Sequence, residues 1–433
     1  MRRKLTSLEQ LIDANIVYFV RLEGSLSLDQ LRSALSRVQH KHPALRTLIR
    51  EEPDGLYYEA DCAPEIPLRV IPRASEYDYR RECRTELTTA FANGQPQLRV
   101  VWLKSKLEAD LLLTTAHRIC DGMSMLTVVR DLLRSLHTNE ELIPYAPITP
   151  RDMIGDYQPP HPWKRTLAAL LLNGLLRLIP SSRRPPENNE HFLEWGADRA
   201  LLDALKQRCK AEGVSIHAAL FVALDRALLS VFGKKKLPGW IDNPMDARRG
   251  RLAALKSDMV FFGGGSFKLR AGQAPDMEFW ARARAVNEEI RGNIEQEMLD
   301  IPSRYHFCEM LRPVPPGKIQ SIVRLGDALK VNGSWGCFAL SNLGNVVVSD
   351  SKTPLQVKDL RLYMHSFNFR VLCLVTYTFN GEMRFYYVGD EKCLSLNQAA
   401  ALKREFMAVL QHEVIRADDS AREFSHMLAA VAK

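Results

Sequence analysis

The chain has 433 residues, of which 46% are hydrophobic and 25% are charged, and its formal net charge is +8. This length exceeds one ordinary hydrophobic core, so two domains are expected, and the apolar and charged fractions are those of a globular protein. The positive charge suits an acidic partner, such as a nucleotide-bearing cofactor, an acidic carrier protein or a membrane surface. Because no long basic tract, zinc-ligand spacing or recognition helix accompanies this charge, nucleic acid is excluded as the expected partner.

The cysteines and the N-terminus indicate a compartment. The eight cysteines are scattered and form no Cys-x-x-Cys pair. This pattern favours free thiols in a reducing environment over a disulfide framework or a structural metal. The basic start, MRRKLTSLEQ, is not followed by an apolar signal core, and no stretch is long enough to cross a bilayer. We therefore expect a cytoplasmic protein.

The first half of the chain alternates predicted strands and helices, which indicates an α/β layer. Ser27 is the predicted N-cap of a helix that ends at His42-Pro43, and a second helix is predicted over Glu76–Ala92. Pro53-Asp54-Gly55 is a typical hairpin turn. The predicted strands are Ile16–Leu22, Leu45–Arg50, Leu56–Ala60, Leu98–Lys104 and Asp110–Ala116.

The strongest candidate for a catalytic residue lies at the end of the last of these strands. The apolar run Leu111–Ala116 predicts a buried strand that delivers His117 at its end, and a helical pattern begins after Gly122. Histidine is a natural general base because its ordinary pKa lies near neutral pH. Asp121, in a tight turn that Gly122 permits, can orient the loop by pairing with a cation elsewhere. The alternative is a core histidine beside a helix-capping aspartate, which is the commoner origin of so short a pattern.

Between the halves lies a stretch rich in proline and polar residues, and it suggests three segments: 1–140, a crossover at 141–190, and 191–433. Within the crossover, Trp163–Arg184 has an apolar middle flanked by basic residues. It predicts either an interfacial helix or lid over a lipid-binding channel, which would permit a peripheral membrane contact through 163–184, or a helix buried between the domains.

The second half again mixes strands and helices. Met259–Leu269 is predicted as a strand interrupted by Gly263-Gly264-Gly265, which lacks the spacing of a phosphate-binding loop. Asn380-Gly381 is the strongest hairpin signal in the chain. The other predicted elements are a strand at Phe192–Trp195, helices at Ala200–Ala211 and Ser215–Phe232, a strand end at Ile241–Arg248, a helix at Met277–Met298, a strand at Phe338–Ser349, the hairpin Phe369–Val388 and a helix at Leu396–Arg416.

Several stretches, taken in order, resemble the chloramphenicol-acetyltransferase-like superfamily, and the likeness covers nearly the whole chain. This superfamily includes peptide-synthetase condensation domains, polyketide-associated acyltransferases, wax ester synthases and alcohol acetyltransferases. Its hallmark is His-His-xxx-Asp-Gly at a strand end, and Ala116 replaces the first histidine here. The stretches that carry the resemblance are His42-Pro43-Ala44-Leu45-Arg46, Ala116-His117-Arg118-Ile119-Cys120-Asp121-Gly122, Gly213-Val214-Ser215-Ile216-His217-Ala218-Ala219-Leu220, Asn243-Pro244-Met245-Asp246-Ala247-Arg248 and Ser341-Asn342-Leu343-Gly344.

The resemblance implies an α/β (α+β) fold of two such subdomains, each a mixed sheet with flanking helices, meeting at a central substrate channel. It implies that His117 is the catalytic base at the middle of this channel and that Asp121 pairs with Arg248 to fix the loop. Ser341, with Asn342, is a candidate oxyanion or channel residue. Gly122 is expected to have a structural role at the active site, and Cys120 is expected to pack away from the cleft.

The implied reaction moves an acyl group from acyl-coenzyme A, or from a phosphopantetheinyl carrier protein, directly to the hydroxyl group of a lipid or secondary metabolite. No permanently bound cofactor and no metal are expected. Amide formation by a free-standing condensation enzyme is the second choice. A non-catalytic protein that binds a carrier or a lipid is the rival from another class, motivated by Ala116. A serine hydrolase is disfavoured because no Gly-x-Ser-x-Gly elbow is present.

Overall fold

The structure is a computed structural model, and it describes most of the chain. The described residues are 1–52, 55–138, 140–182, 189–249, 252, 255–312, 314–328, 337–348, 355–367 and 371–431. The predicted turn residues Pro53 and Asp54, the basic residues Arg183 and Arg184, and Phe369 at the start of the predicted hairpin lie outside them.

The elements of the first half and of the crossover follow in chain order. They are β1 Arg2–Lys4, α1 Ser7–Leu11, β2 Ala14–Glu23, α2 Leu28–Lys41, β3 Leu48–Glu52, β4 Gly55–Glu59, β5 Leu68–Pro72, α3 Asp78–Thr88, β6 Leu98–Lys104, β7 Glu108–Ala116, α4 Gly122–His137, α5 Pro150–Ile154 and α6 Pro162–Leu178.

The second half continues the alternation of strands and helices. Its elements are β8 Glu190–Ala197, α7 Arg199–Glu212, α8 Ile216–Phe232, β9 Trp240–Pro244, β10 Ser266–Arg270, α9 Phe279–Met310, α10 Pro316–Ala328, β11 Cys337–Asn345, β12 Gln356–Ser366, β13 Val371–Phe379, β14 Glu382–Asp390 and α11 Leu396–Val431.

Two mixed sheets organise the described residues, which confirms the predicted fold class. The first sheet has the order β12-β2-β7-β6-β5, with β5 and β6 parallel and the other neighbours antiparallel. The second has the order β10-β9-β11-β13-β14-β8, in which β11 runs parallel to both of its neighbours. The strands β1, β4 and β3 form a small third sheet.

β13, in the middle of the second sheet, is buried on both faces. Since successive side chains of a strand point to opposite faces, neighbouring residues of β13 enter different cores. Leu372 and Leu374 pack with α7, α8 and α9, whereas Cys373 and Val375 join the core built around β2 and β7. One continuous apolar layer therefore connects the two sheets.

One strand crosses between the halves of the chain. β12, which comes from the second half, lies antiparallel to β2 at the edge of the first sheet, with Gln356 opposite Glu23 and Ser366 opposite Ala14. This strand was not among the predicted elements. The division at 1–140, 141–190 and 191–433 remains a proposal for the domains, although β12 of the last segment belongs to the first sheet.

Local signals located most element boundaries correctly. Ser27 and Ser215 cap α2 and α8 by accepting backbone N–H groups, and Asn380-Gly381 turns the β13–β14 hairpin with φ of 50° and 80°. The strand predicted at Met259–Leu269 is wrong before Ser266, because the three glycines and the residues preceding them form a loop.

The crossover helix α6 lies at the surface, so the prediction that it is buried between the domains is wrong. Of its 17 residues, all of which the structure describes, Ala169 alone is buried. Among the described residues, no single helix is long and apolar enough to cross a membrane. In the same described part of the chain, α7 and α8 taken together reach that length and apolar composition, but as a pair bent by 105°.

Candidate active site

His117 lies immediately after β7, where that strand leaves the first sheet. Its backbone N–H donates to the carbonyl of Ala14 on the neighbouring strand at 2.7 Å, so the position of its Cα is set by the sheet. The half-buried imidazole packs edge-on against the ring of Phe262, with centroids 5.6 Å apart and an interplanar angle of 87°. The ring is therefore held by the first sheet on one side and by a loop of the second half on the other.

The hydrogen bond of the His117 ring determines its tautomer. Nδ1 lies 2.8 Å from the carbonyl oxygen of Cys120. Because a carbonyl only accepts, Nδ1 carries the proton, and Nε2 of the neutral ring keeps a lone pair. Within the described residues Nε2 forms no hydrogen bond. In the neutral form, a histidine whose Nδ1 donates in this way has an Nε2 lone pair that can accept a proton from a bound substrate.

Asp121 joins the His117 loop to the second half. Its Oδ1 accepts the backbone N–H of Ser124 at 2.8 Å and so caps α4. The two guanidinium Nη atoms of Arg248 donate to the two carboxylate oxygens of Asp121, each at 3.0 Å. The aspartate therefore has both roles that were considered from the sequence, as a helix cap and as the partner of a distant cation.

The Arg248 side chain is only 1% exposed, and its buried charge is paired with carboxylates. Nη1 also donates to Asp246 at 2.8 Å, and Nε donates to the carbonyl of Met259 at 3.0 Å. The guanidinium lies 4.4 Å from the ring centroid of Phe261. Burial opposes the charge, but Asp121 and Asp246 outweigh it and raise the pKa of Arg248. A buried charge that is paired in this way fixes geometry more reliably than an exposed one.

Ser124 is a site residue that sequence reasoning missed. Its hydroxyl accepts from Nη2 of Arg248 at 2.6 Å and from the backbone N–H of Phe261 at 3.1 Å, and it donates to the carbonyl of Phe261 at 2.8 Å. It thereby ties the loop that carries Phe262 to the start of α4. The sequence signal that could have pointed to this contact is the run Gly263-Gly264-Gly265, which indicates that the residues around Phe261 form a loop.

Gly122 packs closely against neighbouring side chains and has no backbone conformation special to glycine. It is not among the glycines with positive φ, so the turn at Asp121 does not use the conformational freedom of glycine for which Gly122 was expected to permit it. A Cβ at this position would lie 3.3 Å from a methyl carbon of Leu343 and 3.4 Å from the hydroxyl of Tyr18. That hydroxyl donates to the Gly122 carbonyl at 2.7 Å. The end of β11 therefore packs directly against the motif.

Ser341 and Asn342 precede Leu343 on β11, which brings them to the same region of the molecule. Both are half-buried, and the side-chain oxygen of Asn342 accepts the N–H of Gly344 at 2.9 Å. Their described contacts do not include His117. Their role toward an oxyanion thus stays a prediction.

Cys120 is fully buried, and its thiol donates to the hydroxyl of Thr115 at 3.4 Å. Burial raises the pKa of this thiol to about 12. Since the thiolate is the nucleophilic form of cysteine, Cys120 is inert at neutral pH. This environment agrees with the packing role that the sequence suggested.

A crevice of about 50 Å³ adjoins the motif on the side of Arg118 and Ile119, and Phe261 and Phe262 line it opposite them. His117 is not among its described lining residues. This volume holds only a few water molecules. The two-ended channel that the resemblance implies thus stays a prediction.

No family model matches the chain. Its fold is similar to those of several solved structures. The first condensation domain of the calcium-dependent antibiotic synthetase has a TM-score of 0.66 and 15% identity, covering 96% of each chain. The trichothecene 15-O-acetyltransferase TRI3 of Fusarium sporotrichioides has a TM-score of 0.65 and 11% identity, covering 94% of this chain and 95% of its own. Polyketide synthase associated protein 5 of Mycobacterium tuberculosis has a TM-score of 0.61 and 14% identity, covering 95% and 98%.

The chain also matches short parts of large synthase and synthetase proteins. A plipastatin synthase polypeptide of Bacillus subtilis is 25% identical over 256 residues, which is 54% of this chain and 10% of that protein. The probable non-canonical nonribosomal peptide synthetase CymA of Salinispora arenicola is 34% identical over 120 residues, or 27% of this chain and 2% of that protein. The chain thus spans a tenth or less of these relatives. Together with the structures, they confirm the fold that the motifs indicated, that of condensation domains and chloramphenicol-acetyltransferase-like acyltransferases.

Proposed function

We propose that the protein is an acyltransferase that moves an acyl group from a thioester directly to the hydroxyl group of a lipid or secondary metabolite, with His117 as the general base. The observation that carries the proposal is the hydrogen bond from Nδ1 of His117 to the Cys120 carbonyl, because it leaves Nε2 able to accept a proton. The acyltransferase fold supports the reaction class.

The proposed reaction proceeds without a covalent enzyme intermediate. The acceptor oxygen attacks the thioester carbonyl while Nε2 of His117 takes the hydroxyl proton, so that a tetrahedral oxyanion and an imidazolium form together. Collapse of this intermediate breaks the carbon–sulfur bond, and the imidazolium returns the proton to the departing thiolate. Ser341 and Asn342 are the proposed donors to the oxyanion, whose charge needs oriented hydrogen bonds. The inert thiol of Cys120 agrees with direct transfer.

The proposed donor is acyl-coenzyme A or an acyl group on a phosphopantetheinyl carrier protein. The curated relatives that are named peptide synthetases support a carrier-bound donor, and the net charge of +8 suits either acidic partner. We place the reaction in the cytoplasm, with a peripheral membrane contact through 163–184.

Two alternatives remain, and each rests on its own observation. The match to synthetase segments favours amide formation, in which an amine replaces the hydroxyl acceptor. Ala116, where the superfamily motif has its first histidine, favours a non-catalytic protein that binds a carrier or lipid. The paired hydrogen bonds between Asp121 and Arg248 hold the His117 loop in place, and this argues against the non-catalytic alternative.

The test is an acceptor-dependent thiol-release assay. The full chain is mixed with a panel of acyl-coenzyme A and acyl-pantetheine thioesters, each with alcohols or with amines, and the products are identified by intact mass. Release that requires an alcohol, with an ester as product, supports the proposal. Release that requires an amine establishes the amide-forming alternative. Binding of thioesters without release by any acceptor would indicate the non-catalytic protein.

A further inference from the structure

The surface helix α6 is attached to the protein through polar contacts. Arg165 donates to the carbonyl of Ser303 at 2.8 Å and also contacts its hydroxyl. Asn173 donates to the carbonyl of Met310 at 3.1 Å and accepts the N–H of Arg312 at 2.8 Å. Polar side chains therefore attach the inward side of this helix, where an ordinary surface helix has an apolar stripe.

The C-terminal end of α6 is also secured. Nζ of Lys318 donates to the carbonyl of Leu176 at 2.9 Å and to that of Arg177 at 3.1 Å. These carbonyls belong to the last turn, where no helical N–H is available to them, so the lysine satisfies them and complements the negative end of the helix dipole. The orientation of α6 is therefore fixed at its N-terminal side, its middle and its end.

The outward side of α6 is an apolar face, and we refer to it as the α6 face. Its large side chains are between 49% and 81% exposed. Apart from the adjacent Leu170 and Leu171, steps of three or four residues separate them, which places them on one side of a helix. The members of the α6 face are Trp163, Leu167, Leu170, Leu171, Leu175 and Leu178. A contiguous apolar surface of this kind marks an interaction site.

Charge indicates what covers the α6 face. The sequence contains no Asp or Glu from 157 to 186 but contains five basic residues there, which are Lys164, Arg165, Arg177, Arg183 and Arg184. Lys164 and Arg177 are exposed on α6 itself, and Nζ of Lys164 lies 5.5 Å from the ring centroid of Trp163. A second copy of the chain would bring two basic stretches together, which disfavours a dimer through this face.

We propose that α6 docks the protein on a membrane surface that contains anionic lipids. The α6 face would lie in the interface with its leucines among the acyl chains, Trp163 at the headgroup level, and the exposed Lys164 and Arg177 against the lipid phosphates. The helix would lie along the membrane and not cross it. This inference rests on the α6 face and not on the acyl transfer proposed above, so either can fail without the other.

The test is co-sedimentation of the full chain with vesicles of two compositions. One contains phosphatidylcholine alone, and the other contains equal parts of phosphatidylcholine and phosphatidylglycerol. We expect binding to the anionic vesicles, little binding to the neutral ones, and release from the anionic vesicles as salt is added, because salt screens exposed charges. Equal binding to both, or no binding at low salt, would overturn the proposal.

A double variant, Leu171→Ser with Leu175→Ser, tests the α6 face itself. We expect at least a tenfold loss of vesicle binding with an unchanged melting temperature, since both side chains are exposed. The matched control is Leu107→Ser in the turn between β6 and β7, where the leucine is 74% exposed, and it should bind as the wild type does. Transfer to short, water-soluble substrates should be the same in all three proteins.

Two outcomes of the variant series would contradict the proposal. If the double variant unfolds early, the two leucines pack within the protein and the α6 face is not a free surface. If sedimentation of the wild type shows a dimer that the double variant abolishes, while vesicles are not bound, then a second copy covers the face. Capture of an acidic protein without vesicle binding would equally replace the lipid.

Discussion

Asp121 and Arg248 lie 127 positions apart in the chain and form a bidentate pair with both nitrogen–oxygen distances at 3.0 Å. The aspartate caps α4 directly after the His117 loop, and the arginine follows β9 of the other sheet. The pair therefore makes the position of His117 depend on how the two halves of the protein pack together.

Asp121→Asn should lower both stability and activity. The substitution keeps the size of the side chain but leaves the buried guanidinium of Arg248 with Asp246 as its only carboxylate among the described residues. Breaking a buried pair costs roughly 3–5 kcal/mol, and we expect about 3 kcal/mol here because Asp246 remains. Thermal unfolding with a parallel transfer assay measures both effects.

The control for this variant is Glu140→Gln, which breaks the exposed pair of Glu140 with Arg134. An exposed pair contributes less than about 1 kcal/mol, so the melting temperature should barely change. If Asp121→Asn lost activity at an unchanged melting temperature, Asp121 would act in the chemistry and not in the scaffold.

Ser124→Ala should destabilise the loop that carries Phe262. The substitution removes a hydroxyl that serves Arg248 and both backbone groups of Phe261, and an unsatisfied buried group costs about 1–3 kcal/mol. Ser135→Ala on the same helix is the matched control. Ser135 is buried, and its hydroxyl has no partner among the described residues. Equal melting temperatures for the two variants would refute the bridging role of Ser124.

Cys120→Ala should retain acyl transfer. The thiol is fully buried and its pKa is raised to about 12, so it is not a nucleophile at neutral pH. Intact-mass measurement after mixing with the thioester alone should show no acylated protein for either form. Loss of transfer in a folded Cys120→Ala variant, together with an acyl adduct on the wild type, would replace direct transfer by a covalent mechanism.

His42 should make stability depend on pH. The ring is fully buried, and Nε2 lies 2.7 Å from Oδ2 of Asp131, which Lys41 also contacts at 2.9 Å. Burial lowers the pKa of His42 from 6.5, although Asp131 opposes the shift. Since the unfolded chain binds a proton at a higher pH than the folded chain, the free energy of unfolding falls as the pH drops below 6.5, down to the lowered pKa.

Melting temperatures from about pH 7.5 to about pH 5 test this dependence. We expect the wild type to lose more stability over this range than His42→Gln, whose amide does not titrate. The control is His40→Gln, since His40 is exposed on the same helix, and its pH profile should follow that of the wild type. Parallel curves for wild type and His42→Gln would show that His42 does not titrate in folding.

The sequence predicted the features that depend on neighbouring residues. His117, Asp121 and the start of α4 are contiguous, so one strand end and one helix cap place them together. The turn at Asn380-Gly381 and the cap at Ser215 were readable for the same reason. The ordered motifs added the pairing of Asp121 with Arg248, which spacing alone does not give.

The features that were missed depend on contacts between distant segments. β12 joins β2 across more than half of the chain, and Ser124 reaches Phe261 at a separation of 137 positions. The sequence also did not show which side of α6 faces the protein and which faces outward. Its leucines allow either an interfacial or a buried helix, and the choice depends on contacts of α6 with the distant Ser303 and Lys318 that attach its other side.

The most direct test of the account is the rate of acceptor-dependent thiol release by His117→Ala, compared with the wild type at equal folded concentration. The substitution removes the proton acceptor, and the circular dichroism spectrum should be unchanged because the ring is half-buried at a strand end. We expect the rate to fall by on the order of a hundred- to ten-thousand-fold. Near-normal turnover by the folded variant would contradict the assignment of His117 as the general base.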